Sequence, residues 1–125
     1  MRILTGILLA SAAFAADFTI DTAHSAAGFT AKHMMVTNVR GQFAITSGKI
    51  SFDPKNLAAA KVEAVIDANS VDTQQPKRDA HLKSPDFFDV AKYPTLNFRS
   101  TKWYRQNGKL KIAGDLTIHG VTKPV

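Results

Sequence analysis

The sequence predicts an all-β domain, a barrel or a sandwich, and three observations carry that reading. Several runs alternate apolar and polar residues at a period of two, the periodicity of a strand with one face buried. Tight-turn signals, Asn107-Gly108 above all, separate those runs. One irregular excursion, with prolines at 76, 85 and 94, interrupts them and carries a short helical stretch around residues 74–92.

The 125-residue chain opens with Arg2, an apolar run from Ile3 to Ala10, and Ala13-Phe14-Ala15. A positive start, a short apolar stretch and a small-x-small site form the pattern of a secretory signal. The run is too short to span a bilayer, which needs roughly 20 apolar residues. Export is therefore expected to remove residues 1–15 and leave a mature domain over residues 16–125. No cysteine is present. In an oxidising compartment the fold must then rest on its core, without disulfide staples or thiolate sites.

Asp21-x-x-His24-Ser25 reads as a polar turn entering the first strand, where Phe29 lies among small residues such as Ala27, Gly28 and Ala31. From Val39 to Phe52 the apolar positions change phase. Val39, Gly41, Phe43 and Ile45 are odd-numbered, whereas Ile50 and Phe52 are even-numbered. A β-bulge near Ser47-Gly48 produces such a slip, and so does a hairpin turn at Thr46–Lys49. The bulge is favoured, because long bent strands are how small barrels close. Asp53-Pro54-Lys55-Asn56 is a turn. Val62, Ala64, Ile66 and Ala68 then alternate with Lys61, Glu63 and Asp67, with Val65 breaking the polar face. In the excursion, Ser84-Pro85-Asp86 reads as an N-cap followed by proline at the first helical position. Leu96, Phe98 and Ser100 face one way. Past Asn107-Gly108, Leu110, Ile112, Leu116 and Ile118 share one face, with Gly114 between them. Lys109, Lys111, Asp115, Thr117 and His119 share the other, which points His119 away from the interior.

Composition narrows the function classes. Without Arg2 the chain keeps 15 basic and 10 acidic residues. The basic residues are scattered singly, with no arginine-rich run or interleaved aromatics, so nucleic acid is not an expected partner. A transient contact with an anionic membrane surface suits the same charge. No G-x-S-x-G elbow, P-loop or dinucleotide fingerprint occurs, so no enzymatic activity, no catalytic residue and no cofactor are expected. His24, His33, His81 and His119 are the right residue types for metal but lack the spacing of a metal motif. A metal-binding or stress-response role using His and Asp is the alternative reading.

The apolar set Phe29, Phe43, Ile45, Phe98, Leu110, Ile112, Leu116 and Ile118 fits an interior, with Phe87 and Phe88 on the excursion placed to cover one mouth. A packed core and a ligand cavity account for this set equally well. Small residues at strand positions (Ala31, Gly41, Ala64, Ala68, Gly114) favour a cavity by leaving room inside.

A longer pattern adds to this reading. It runs Asp21-Thr22-Ala23-His24-Ser25, Phe29, Lys32-His33-Met34, Val39-Arg40-Gly41-Gln42-Phe43 and Ser70-Val71-Asp72-Thr73. It continues with Arg78-Asp79-Ala80-His81-Leu82-Lys83-Ser84-Pro85-Asp86-Phe87-Phe88-Asp89-Val90, Tyr93-Pro94, Phe98 and Ser100-Thr101. It ends with Gly114-Asp115-Leu116-Thr117-Ile118-His119-Gly120-Val121-Thr122-Lys123-Pro124. In order and spacing this resembles the YceI-like family of periplasmic polyisoprenoid-binding proteins, over about residues 17–125. The resemblance implies a lipocalin-like antiparallel β-barrel that binds, carries or stores a polyisoprenoid-type lipid, such as a prenyl quinone or a polyprenyl phosphate, in the periplasm. Burying such a hydrocarbon contributes roughly 25 cal/mol per Å² of apolar area. Family members continue past the Gly-Val-Thr-Lys-Pro segment with further strands. The resemblance thus implies a barrel incomplete in this chain, either a fragment or a short form that closes its sheet as a homodimer.

Overall fold

A computed structural model describes residues 16–125; the expected leader, residues 1–15, lies outside the described residues. Seven strands form one antiparallel sheet: β1 (Ala16–Thr19), β2 (Ala26–His33), β3 (Thr37–Phe52), β4 (Lys61–Asp67), β5 (Thr95–Gln106), β6 (Lys109–Ile118) and β7 (Val121–Pro124). A single α-helix, α1 (Pro76–Lys83), lies in the excursion between β4 and β5. The sheet order is β1-β3-β4-β5-β6-β7, with β2 on the first half of β3. The fold is all-β, as the alternation predicts, and the described sheet does not close on itself.

The 16-residue β3 organises this topology. Its first half pairs with β2, and its second half pairs with β1 on one side and β4 on the other. The register against β4 slips between Ile45 and Ser47, so the phase change in the sequence is a β-bulge and not a hairpin. The extra residue is Thr46, whose hydroxyl donates to the Val65 carbonyl at 3.1 Å. A bulge bends the strand and increases its twist, which lets one strand serve two directions of the sheet.

Register assigns the faces, because directly paired residues share a side. Ile45, Ile66 and Leu96 form one apolar row. Ala64, Phe98 and Leu116 form the next, and Ile50 pairs with Val62 beyond it. Lys49, Glu63, Arg99 and Asp115 make a charged row on the opposite face.

A second bulge lies in β5 between Ser100 and Lys102. It shifts the parity so that odd-numbered Trp103 pairs with Ile112 on the apolar face. The Ser100 hydroxyl accepts from the Val62 N–H at 2.8 Å next to this irregularity. That is a strand-stitching role for Ser100.

The turns follow local chemistry. Asn107 (φ 52°) and Gly108 (φ 74°) make the expected tight hairpin between β5 and β6. In the Asp53–Asn56 turn, the Asn56 N–H donates to the Asp53 carbonyl at 3.0 Å. His119 does not continue the polar face of β6, as the alternation predicts. With φ 53°, and Gly120 at 71°, it forms a second left-handed turn that folds β7 back on β6. The helix also begins elsewhere than Ser84-Pro85-Asp86 indicates. Pro76 sits in the first turn of α1, and Ser84 ends the helix, with its N–H and its hydroxyl both donating to the His81 carbonyl. Pro85 therefore follows a helix end, which suits it equally well because proline cannot continue the hydrogen-bond ladder.

Candidate functional site

The apolar face of the sheet is the candidate ligand surface, and its two ends are built differently. At the first end Phe43, Ile66, Ala68, Val71 and Leu96 are buried, and Ala27, Phe29, Ile45, Leu82, Phe88, Val90 and Ile118 pack around them. The excursion supplies Val71, Leu82, Phe88 and Val90, so it lies across the sheet as a cover. Phe43 meets Phe29 at 5.5 Å and Phe88 edge-on at 5.3 Å between ring centroids, within the preferred range for aromatic pairs.

Hydrogen bonds pin this cover to β3. Gln42 and Asp72 exchange backbone hydrogen bonds at 3.0 and 2.9 Å. Buried Thr73 donates its N–H to an Asp79 carboxylate oxygen at 3.0 Å, and its hydroxyl donates to the same oxygen. Arg78 donates to the Thr73 hydroxyl at 2.8 Å and to its carbonyl at 2.7 Å. The Ser70-Val71-Asp72-Thr73 and Arg78-Asp79 motifs therefore meet in one knot. Ser70 extends it, accepting from the Ala44 N–H at 2.7 Å and donating to the Asp67 carbonyl at 2.6 Å.

The other end centres on buried Ala60, Val62 and Trp103, with Ile20, Ile50, Phe52, Leu57 and Phe98 around them. Phe52 and Trp103 rings lie 5.5 Å apart. The Trp103 Nε1 is buried with no hydrogen-bond partner among the described residues. Beyond Trp103 the face is open, with Leu110 and Ile112 41% and 37% exposed.

The expected interior residues thus fall into three groups. Phe29, Phe43, Ile45, Phe88 and Ile118 meet under the excursion, and Phe98 joins the Trp103 end. Leu116 lies between, paired with Phe98, and is partly buried. Leu110 and Ile112 share the apolar face but remain exposed. Phe87 stands apart: it is 48% exposed and rests edge-on against the exposed His81 ring at 4.9 Å. Leu96, Val71 and Trp103 are core residues absent from that expected set. The phase change across Ser100–Trp103 was the sequence signal for the last of them.

Two of the glycines read as leaving room, Gly41 and Gly114, do not hold open space. A β-carbon on Gly41 would collide with the Phe29 ring, and one on Gly48 with the Ile20 side chain. One on Gly114 would come within 2.5 Å of the Phe98 ring. Phe29 pairs directly with Gly41 across the ladder. A ring laid over a strand glycine fills the gap and stiffens a weak position.

A concavity of about 570 Å³ lies instead on the charged side, along Lys49, Glu63, Asn97, Arg99, Asp115 and Thr117. It is open to solvent, and the Arg99–Glu63 ion pair spans it at 3.2 Å. His24, His81 and His119 serve separate local contacts. His24 meets Asp21 at 2.7 Å in the expected polar turn, and His81 meets Asp86 at 3.1 Å. His119 bonds the Phe87 carbonyl and stacks on Tyr93 at 4.8 Å. Among the described residues no three His, Asp or Glu side chains converge on a point.

Strand order, bulges and a helical cover on the apolar face define a lipocalin-like antiparallel sheet protein. The chain belongs to the YceI-like domain family, whose model matches residues 18–125. It is 45% identical to a UPF0312 protein of Vibrio parahaemolyticus over 128 aligned positions, spanning 97% of this chain and 68% of that one. A UPF0312 protein of Shewanella denitrificans is also 45% identical, over 95% of this chain and 64% of the relative. Among solved structures, a Campylobacter jejuni YCEI protein superposes with a TM-score of 0.59 at 38% identity, covering 86% of this chain and 64% of that one. Burkholderia cenocepacia BcnA superposes with a TM-score of 0.72 at 26% identity, over 85% and 67%. A polyisoprenoid binding domain from Saccharophagus degradans, at 18% identity and a TM-score of 0.53, shares the fold.

Proposed function

We propose that this chain is a non-enzymatic, periplasmic binding protein for a polyisoprenoid-type lipid, a prenyl quinone or a polyprenyl phosphate, held against the apolar face of the sheet. The observation that carries this reading is the continuity of that face. It runs from Phe43 and Ile118 under the excursion through Phe98 and Leu116 to the uncovered Leu110 and Ile112. Membership of the YceI-like family supports it, and so does the polyisoprenoid-binding neighbour of the same fold. A hydrocarbon chain needs contact area more than hydrogen bonds, and each 100 Å² of it removed from water contributes about 2.5 kcal/mol. The open strip can supply that area, while a polar headgroup remains at the edge of the sheet in water.

Organic extraction of the protein purified from its native compartment, followed by mass spectrometry, tests this. A prenyl lipid at near-stoichiometric level is expected. A lipid-free protein carrying stoichiometric metal would overturn the proposal and favour the histidine reading. Periplasmic location rests on the Arg2, Ile3–Ala10 and Ala13-Phe14-Ala15 pattern. N-terminal sequencing of fractionated material should begin at Ala16, and a retained Met1 would refute export by cleavage at that site.

A further inference from the structure

The β2–β3 hairpin reaches beyond the body of the sheet. Past the Gln42–Asp72 bridge, residues Thr37–Gly41 of β3 pair with β2 alone among the described residues. The arm ends in Met34, Met35 and Val36, which are 81%, 93% and 89% exposed. Three consecutive bare apolar side chains at a tip are costly in water and call for a partner.

The turn itself is unusual. Met34 (φ 52°) and Met35 (φ 60°) both adopt the left-handed conformation, and the Val36 N–H closes the turn on the His33 carbonyl at 3.3 Å. Such turns favour Asn-Gly. The chain uses Asn107-Gly108 and His119-Gly120 at its other left-handed hairpin tips. Here two long apolar residues occupy strained positions, so turn propensity is sacrificed to present their side chains.

Charge identifies the partner. No acidic residue occurs between Asp21 and Asp53, a stretch that contains Lys32, Arg40 and Lys49. Lys32 pairs with Asn38, and Thr30 with Arg40, so both cations stand on one side of the arm within a few residues of the tip. A methionine-rich tip with cations set just behind it matches a bilayer interface, with an apolar layer beneath a layer of phosphates.

We propose that the β2–β3 tip is a membrane-docking finger: Met34, Met35 and Val36 enter the interfacial layer of an anionic bilayer while Lys32 and Arg40 sit against its phosphates. This stands apart from what the apolar face carries, and its failure would leave the lipid-carrier reading intact.

Co-sedimentation with phosphatidylcholine vesicles, with and without about one-third phosphatidylglycerol, tests it. The unaltered protein should bind the anionic vesicles and bind the neutral ones far more weakly. Met34→Asn with Met35→Gly suits the turn better, so thermal stability should hold or rise while vesicle binding falls about tenfold or more. Met34→Ser with Met35→Ser should lose binding similarly without relying on that turn chemistry. Lys32→Gln with Arg40→Gln should weaken binding and flatten its salt dependence. Undiminished vesicle binding by folded tip variants, or no vesicle binding by the unaltered protein, would overturn the proposal, the latter pointing to a protein partner for the tip.

Discussion

The two ends of the apolar face use similar residue types to different effect. Under the excursion, Leu96, Ile66 and Phe43 are 5–6% exposed, and the cover above them is fastened by the Thr73–Asp79–Arg78 knot. At the far end of β6, Leu110 and Ile112 stand on the same side of the same sheet and remain over a third exposed. Strand alternation assigns a residue to a face, but only a second layer buries it. The covered end supplies stability, and the open end leaves apolar surface in contact with water.

The largest contrast should come from truncating one leucine at each end. Leu96→Ala should cost about 2–5 kcal/mol, the range for a buried leucine, and Leu110→Ala less than about 1 kcal/mol. Urea denaturation of both variants measures this, and equal losses would mean that the open end is covered in solution. Asp79→Ala comes next. It removes the acceptor of both the Thr73 N–H and the Thr73 hydroxyl and leaves these part-buried donors unpaired, and a loss of about 2–3 kcal/mol is expected. If the knot holds the cover, amide exchange should accelerate through residues 71–90 and not at the β5–β6 hairpin. Gly114→Ala sets a β-carbon against the Phe98 ring and the Arg99 carbonyl and should cost about 1–3 kcal/mol by overpacking. A neutral Gly114→Ala would show that the Phe98 ring yields freely. The smallest effect belongs to His24→Ala, whose bond to Asp21 is fully on the surface. No shift in the thermal midpoint should be detectable.

The parts of this fold legible in the sequence were those encoded by neighbours a few residues apart. The phase slip between Ile45 and Ile50 revealed the β3 bulge, and Asn107-Gly108 revealed its hairpin. The slip between Ser100 and Trp103 is the same signal, but a single tryptophan after it gives too short a run to establish a new phase. The His119-Gly120 turn was hidden because His119 falls on the polar parity of β6 and carries no strong turn preference. Ser84-Pro85-Asp86 misled because serine and proline suit both ends of a helix, and only the 3D path distinguishes them. The rings over Gly41 and Gly114 are illegible in the sequence for a different reason. Which ring lies over Gly41 or Gly114 depends on cross-strand register and rotamer, and neither is written along one strand.

The strand order also bears on how the chain finds this structure. From β2 to β7 every strand pairs with its immediate neighbours in the sequence, and only β1 crosses the chain to reach the second half of β3. The β2–β3, β5–β6 and β6–β7 pairs close across short turns, whereas β4 and β5 pair only across the excursion from residue 68 to residue 94. More than half of the close residue pairs are nonetheless at least 12 residues apart in sequence, and pairing of such distant segments slows folding. The excursion must therefore be spanned before β5 can add to β4, and the four-residue β1 reaches β3 only across β2.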